Sequence, residues 1–346
     1  MNEPYALIRS KRKTLSLQVK RDGSLLVRAP LGMPEARIER FLAEKEAWIE
    51  KTRKKLEGLP ELPDDEESVR VLKERAAAVL PQKVAFYARK TGLFPSSVKI
   101  GKAKTRYGCC TDKKHVVFSC YLMLCPEEAI DLVVVHELAH LRYMDHGKKF
   151  YALIDSVLPD RKEREKALKS GRKQTDLVPL DLFLPEAVVD LRYAGTDNFT
   201  GQRIYESGEA FLRYGTVKKL KSAAKALKGY GLRLKILDAY RPAAAQRKLW
   251  EVCPDPRFVA DPAKGSDHTR GSAIDLTLCT PDGTELEMPS AYDEFSDRAR
   301  RDHTNCTENA KKNVLLLEKS MRDAGFLPYE EEWWHYTDSD LYELIG

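Results

Sequence analysis

The sequence predicts an α+β chain of two domains, and three observations carry that expectation. Alternating and helical hydrophobic periods are interspersed along the 346 residues. The charge balance reverses near residue 175: the first part carries 36 Lys and Arg against 24 Asp and Glu, the remainder 23 against 29. Two histidine-centred motifs of different spacing fall one on each side of that point. A chain of this length exceeds the usual single-domain size, and each half is long enough to bury a core. The expected division is 1–175 and 176–346.

The elements follow in order. Leu15, Leu17 and Val19, then Leu25 and Val27, alternate around Asp22-Gly23, which is a hairpin signal. Pro34 to Leu56 reads as one amphipathic helix with Ile38, Phe41, Leu42, Trp48 and Ile49 on its apolar side. The run from Leu59 to Glu67 is an acidic break, and a second helix follows from about Ser68 to Lys90. Short strands are expected near 98–100 and 116–120. Pro126-Glu127-Glu128 opens a helix whose core face is Ile130, Val133, Val134, Leu138 and Leu141, proline and acids being suited to a helix N-terminus. Residues 161–175 are highly charged with no apolar period, and the junction is expected there, near 170–180. Beyond it, 232–237 and 273–278 read as strands and about 307–324 as a long helix.

Composition narrows the class. No apolar run reaches the length of a transmembrane helix, and the basic N-terminus lacks a secretory h-region. Seven cysteines without a regular framework argue for a reducing compartment, so a cytoplasmic location and no membrane partner are expected. The basic first half could meet nucleic acid, although no aromatic-interleaved stripe supports it.

The first motif is His136-Glu137-Leu138-Ala139-His140, with His146 six residues on. Residues four apart share a helix face, so His136 and His140 can present two imidazoles to one metal and His146 a third. Glu137 beside them is placed as general base, and catalytic zinc keeps an open position for water. This half resembles the YgjP/SprT-like metallopeptidases over most of residues 5–170. The resemblance rests on this motif, Ile8–Thr14, Val27–Pro30 and Lys104–Cys110. In the last stretch family members usually read Arg-Trp-Gly-Ser-Cys; here Tyr107 and Cys109 differ, and neither is a ligand. The resemblance implies a gluzincin-like fold and a peptide or protein substrate of unknown identity.

The second motif runs from Ser266-Asp267-His268 through Asp275 to Glu332-Trp333-Trp334-His335. A segment carrying His268 can fold back through Gly271 onto a strand bearing Asp275, and His335 completes a zinc-type donor set. Glu332 is placed to take a proton from water at the metal. Residues 178–340 resemble the D-alanyl-D-alanine dipeptidases of the hedgehog/DD-peptidase fold. That resemblance is carried also by Tyr193-Ala194, Asn198–Gly201 and Asp238–Pro242. It implies His268, Asp275 and His335 as zinc ligands, Glu332 as acid/base and Arg241 as the cation facing the oxyanion. Substrate contacts are implied at Asp293 (the dipeptide ammonium), Ser266 and Tyr193.

The sequence therefore leads to a zinc D-Ala-D-Ala dipeptidase fused to a second metallopeptidase, with one Zn2+ per domain. Two other readings stand beside it. In one, the first half is the main actor, a SprT-like protease acting on proteins near nucleic acid. In the other, the second half is a carboxypeptidase or a zinc-dependent binding module.

Overall fold

The computed structural model describes residues 4–20, 23–56, 62–256, 259–294 and 296–345. Asp22 of the expected turn and the start of the expected acidic break lie outside the described residues. Helices and strands are mixed in both of two compact units, Met1–Lys173 and Gln174–Gly346. Among the described residues, no helix is long and apolar enough to cross a membrane.

In the first unit, β1 (Tyr5–Ser10), β2 (Ser16–Val19) and β3 (Leu25–Pro30) form a sheet of order β1-β3-β2. β2 and β3 are the expected antiparallel pair, Leu17 facing Val27. β1 joins in parallel and had no alternating signature of its own. The expected single helix is two, α1 (Glu35–Glu44) and α2 (Glu46–Leu56), interrupted at Lys45. Ile38 and Ile49 stay buried against the sheet, but Trp48 turns outward and is 45% exposed, which corrects its assignment to the apolar side.

α3 (Glu66–Thr91) starts where Asp65 accepts a hydrogen bond from the Ser68 amide, at 2.8 Å. β4 (Ser97–Gly101), β5 (Gly108–Cys110) and β6 (His115–Ser119) form a sheet of order β4-β6-β5. The helix α4 (Glu127–Ala139) carries the first motif. It is buried almost all round rather than on one face, since Ala129, Leu132 and Val135 are covered as fully as Val134 and Leu138. Its neighbours are α3, β5, α5 (Lys148–Val157) and α6 (Arg161–Ser170). Lys83 of α3 reaches both Glu127 and Asp131 of α4 at 2.8 Å. Leu141 lies past the helix end and is half-buried. The charged run 161–175 is helical to Ser170. That helix has no buried residue of its own, which is why no apolar period marked it.

In the second unit, β7 (Leu177–Pro179) leads into the short α7 (Leu180–Phe183) and then β8 (Val188–Val189). β9 (Phe211–Arg213) pairs with β7 and runs into α8 (Tyr214–Lys228). β10 (Arg233–Asp238), α9 (Ala243–Val252), the one-turn α10 (Asp267–Arg270) and β11 (Ala273–Cys279) follow. Last come α11 (Glu308–Asp323), capped by Thr307, and the strands β12 (Phe326–Tyr329) and β13 (Glu332–Asp338). The central sheet has the order β12-β13-β11-β10-β8. Every residue of β11 is buried, as expected of a central strand covered on both faces.

Gly271 ends α10 at φ +72° and turns the chain into β11. A side chain there would carry the left-handed penalty and meet Leu177 Cδ1 at 3.2 Å. Gly271→Ala is therefore expected to destabilise the second unit by about 1–2 kcal/mol, read as a lower urea midpoint for that unit's unfolding.

Two candidate metal centres

Among the described residues, two groups of three side chains bring metal-type donor atoms within 4.8 Å of one another: His136, His140 and His146, and His268, Asp275 and His335. The sequence-predicted ligands are thus brought together in both units.

The first group follows from helix geometry. His136 and His140, four apart at the end of α4, place their Nε2 atoms 3.2 Å apart; His146 Nε2 lies 3.2 Å from that of His136. His140 Nδ1 faces the Tyr143 carbonyl at 3.0 Å, which puts the proton there and leaves Nε2 as a lone pair. Phe150, fully buried on α5, packs against all three imidazoles with ring centroids 4.7–4.9 Å away. Burial, then the neighbouring His140 and His146, pushes the His136 pKa down to about 4, so the ring is neutral and able to ligate.

Glu137 is only 5% exposed, and its Oε2 is a buried atom without a hydrogen-bond partner among the described residues. Burial pushes it up to about 7, opposed by Arg106. β5 passes so close that a Cβ on Gly108 would sit 2.6 Å from Glu137 Oε1. Only glycine lets the strand meet the carboxylate there, which gives Gly108 of the Lys104–Cys110 stretch its structural reason.

The second group follows from strand register. Asp275 of β11 pairs with His335 of β13 on one side and with Asp238 of β10 on the other. His268 comes from α10, whose start is fixed by a capping box: Ser266 Oγ accepts from the His268 amide and Thr269 Oγ1 from the Ser266 amide. His335 Nδ1 lies 2.9 Å from Asp275 Oδ1 and 3.2 Å from His268 Nε2, and His268 Nε2 lies 3.4 Å from that same oxygen.

Each donor is oriented from behind. His268 Nδ1 donates to the Ala239 carbonyl at 2.7 Å, the Tyr292 hydroxyl donates to Asp275 Oδ2 at 3.0 Å, and His335 Nε2 lies 3.2 Å from Thr337 Oγ1. The two histidines therefore offer different ring nitrogens. Sequence reading missed Tyr292 and Thr337, which no spacing rule singles out.

Both triangles fit a tetrahedral metal. Donors about 2.0–2.1 Å from a zinc ion stand roughly 3.3 Å apart along each edge, close to the 2.9–3.4 Å of the second triangle and to the 3.2 Å from His136 to each of its two partners in the first, whose His140–His146 edge is within 4.8 Å. Lone pairs converging at such distances repel unless a cation lies between them.

Glu332 and His335 both line a cavity of about 350 Å³, although residues three apart on a regular strand face opposite sides. The pairing of β12 with β13 jumps from Pro328↔Tyr336 to Tyr329↔Glu332, so β13 carries extra residues in a bulge that re-aims both side chains. Arg301 holds this bulge from behind. It donates from Nε to the Tyr329 carbonyl at 2.7 Å and from Nη2 to the His335 carbonyl at 2.8 Å, and it is anchored by Glu318 and the Tyr336 hydroxyl.

Burial pushes Glu332 up to about 7, with His335 opposing. Asp293 also lines the cavity, at φ +56°, and accepts from the Tyr193 hydroxyl at 3.0 Å. Burial and the Asp275 charge push its pKa up to about 8. Arg241 is buried and locked on Asp238 through Nε and Nη2 (3.1 and 2.5 Å) and on Gln246 through Nη1. Asp238 and Gln246 are further residues that sequence reading gave no role. Ser266 and Tyr193 line the same cavity, as does Trp334, while Trp333 is core, its Nε1 donating to Ser290.

Comparison with known proteins places both halves. Residues 173–343 match the family model described as D-ala-D-ala dipeptidase, and residues 13–70 and 63–171 match the YgjP-like metallopeptidase domain. The chain is 40% identical over 162 residues to a D-alanyl-D-alanine dipeptidase of Escherichia coli (strain K12), covering 47% of this chain and 84% of that protein. It is 33% identical over 174 residues to one of Enterococcus faecium, covering 44% and 85%. For one of Enterococcus faecalis (strain ATCC 700802 / V583) the figures are 33% over 181 residues, 45% and 88%.

Replacing Arg301 by Met frees both carbonyls of the bulge. The expected result is a loss of about 10- to 100-fold in metal affinity at the His268 cluster, read by chelator competition, with the affinity of the His136 cluster unchanged.

Proposed function

This chain belongs to the D-alanyl-D-alanine dipeptidase family and is a metallopeptidase carrying a second, YgjP-like metallopeptidase domain; from that premise we propose that its C-terminal unit hydrolyses D-Ala-D-Ala to two D-alanines with zinc held by His268, Asp275 and His335. The observation that carries the reading is the meeting of that donor triangle with Glu332, Arg241 and Asp293 around one cavity. We assign the unit to the hedgehog/DD-peptidase fold and the N-terminal unit to a gluzincin-like fold, with a second zinc on His136, His140 and His146 and Glu137 as its base. The setting proposed is the cytoplasm, where the reaction would remove or recycle a cell-wall precursor.

Zinc, when bound, supplies a Lewis acid that polarises the scissile carbonyl and makes water more acidic. The chain's own residues do the rest. Glu332, with a pKa poised near neutrality, accepts the proton of the attacking water and delivers it to the leaving amine. Arg241 cannot swing, because Asp238 and Gln246 fix its guanidinium. A cation already in place where negative charge develops costs no reorganisation at the moment of reaction. Asp293 takes the substrate ammonium, whose charge favours its ionised form, and Tyr193 holds the carboxylate in position. Ser266 contacts the substrate from the mouth of α10.

A binding module would need neither Glu332 nor Arg241, so the enzyme reading accounts for more of the cavity. Glu332→Gln is expected to retain zinc at the parent stoichiometry and to lose at least about 100-fold in kcat, the lower end for a general base. The measurement is D-alanine release from D-Ala-D-Ala, with metal content determined on the same sample; undiminished release would refute the assignment. Asp293→Asn removes the ammonium partner and should raise KM for the free dipeptide by more than it lowers kcat. The same variant should leave an N-blocked dipeptide unaffected.

A further inference from the structure

The N-terminal unit holds a cavity of about 280 Å³ that opens beside His136 and Glu137. Apart from those two residues its wall is mainly apolar: Leu132 and Val133 from α4, Ile154 from α5, Leu168 from α6, and the rings of Tyr107 and Tyr151. The charges lining it elsewhere are closed on one another. Arg161 bonds Glu165 at 2.5 Å and Asp155 at 2.6 Å, and its guanidinium lies 4.7 Å from the Tyr151 ring centroid. Among the described residues that line this cavity, none offers an uncommitted cation for a chain's carboxylate. The one carboxylate that could meet an ammonium is Glu137, whose position beside the donor triangle suits the reaction. A charged side chain placed here would be desolvated without a partner, whereas an apolar one gains by leaving water.

We propose that this cavity receives a bulky apolar side chain, and that the N-terminal site hydrolyses a peptide bond inside a polypeptide, next to that residue, without anchoring either chain end. The proposal rests on reading this unit as a peptidase and names its substrate class. The chemistry balances with water alone. The hydroxyl adds to the acyl carbon, the C–N bond breaks with its electron pair going to nitrogen, and the remaining proton goes to that nitrogen. This pocket thus selects by apolar fit, where the C-terminal cavity has charged groups to measure a dipeptide from its ends.

The test uses the zinc-loaded full chain carrying Glu332→Gln, so that the C-terminal site is silent. A library of peptides blocked at both ends is digested and the products are read by mass spectrometry. Cleavage is expected beside Leu, Ile, Met or Phe. Leu168→Trp, on a half-buried helix face, should fill the cavity and lower cleavage beside those residues by about 10- to 100-fold while sparing cleavage beside Ala. Ligand-observed NMR with N-acetyl-phenylalaninamide and N-acetyl-aspartamide reads the pocket independently of turnover; the first should bind and the second should not, and Leu168→Trp should abolish the binding. Cleavage without side-chain preference, cleavage confined to free-ended peptides, or equal binding of the two amides would overturn the proposal. Loss of the amide signal in both parent and variant would do the same. Selective amide binding with no peptide cut would retain the apolar pocket and sink the peptidase reading on which the cleavage rests.

Discussion

The register of three neighbouring strands is the constraint on which the C-terminal site depends. Asp238, Asp275 and His335 sit side by side because β10, β11 and β13 are paired at those residues. From Asp238 hang Arg241, the Tyr205 hydroxyl and the Ala239 amide, and the next carbonyl, that of Ala239, orients His268. From Asp275 hangs Tyr292. A slip of one residue in either pairing would send one of these groups to the opposite face, since strand side chains alternate. The regularity is broken locally in two places, between Ile236 and Asp238 where β10 meets β11, and at the bulge in β13. The β13 bulge serves to bring Glu332 to the same side as His335, and Arg301 crosses behind it to both carbonyls.

The N-terminal centre reaches a similar triangle of donors by another route. Two of its three imidazoles are fixed by the pitch of one helix, so no strand register is involved. The cost moves to the helix itself, which is buried nearly all round and so must be held by its neighbours. Lys83 anchors its first turn to α3 through Glu127 and Asp131, β5 closes over Glu137 at Gly108, and Phe150 backs the three rings. The loop from Tyr143 to His146 supplies the third ring, and its Tyr143 carbonyl sets the tautomer of His140.

Much of this was legible in the sequence, for identifiable reasons. Alternation between Leu15 and Val27 gave the hairpin, and the Pro-Glu-Glu start gave α4, because those signals are local. The parallel strand Tyr5–Ser10 was not legible, because its partner lies across the β2 hairpin and its own pattern is weak. The interruption at Lys45 was hidden because the residues on either side are good helix formers. The six donor residues stood out by chemistry and spacing. The groups that orient them, Tyr292, Thr337, Asp238 and Arg301, did not, since each is defined by what lies near it in space.

The electrostatics of the C-terminal cavity show what it is prepared to hold. Asp238 is committed to Arg241, which leaves Asp275, Glu332 and Asp293 around one space; among the described residues that line it, Arg270 is the one other lysine or arginine, and it turns to Asp267 and the Tyr342 carbonyl. Three carboxylates so close cannot all ionise cheaply. The strain is distributed unevenly: His268 and His335 keep Asp275 ionised against its burial, while Glu332 is pushed up to about 7 and Asp293 to about 8. The cavity thus has an excess of acid that one divalent cation and one ammonium would relieve at different ends. That is the charge pattern of the ligands proposed here, a metal at the donor triangle and a dipeptide whose free amine lies at Asp293. In that proposal Arg241, which lines the same cavity, would supply positive charge where a carbonyl oxygen gains negative charge, so the arrangement that draws in the substrate would also be complementary to the charge that builds up as its peptide bond breaks.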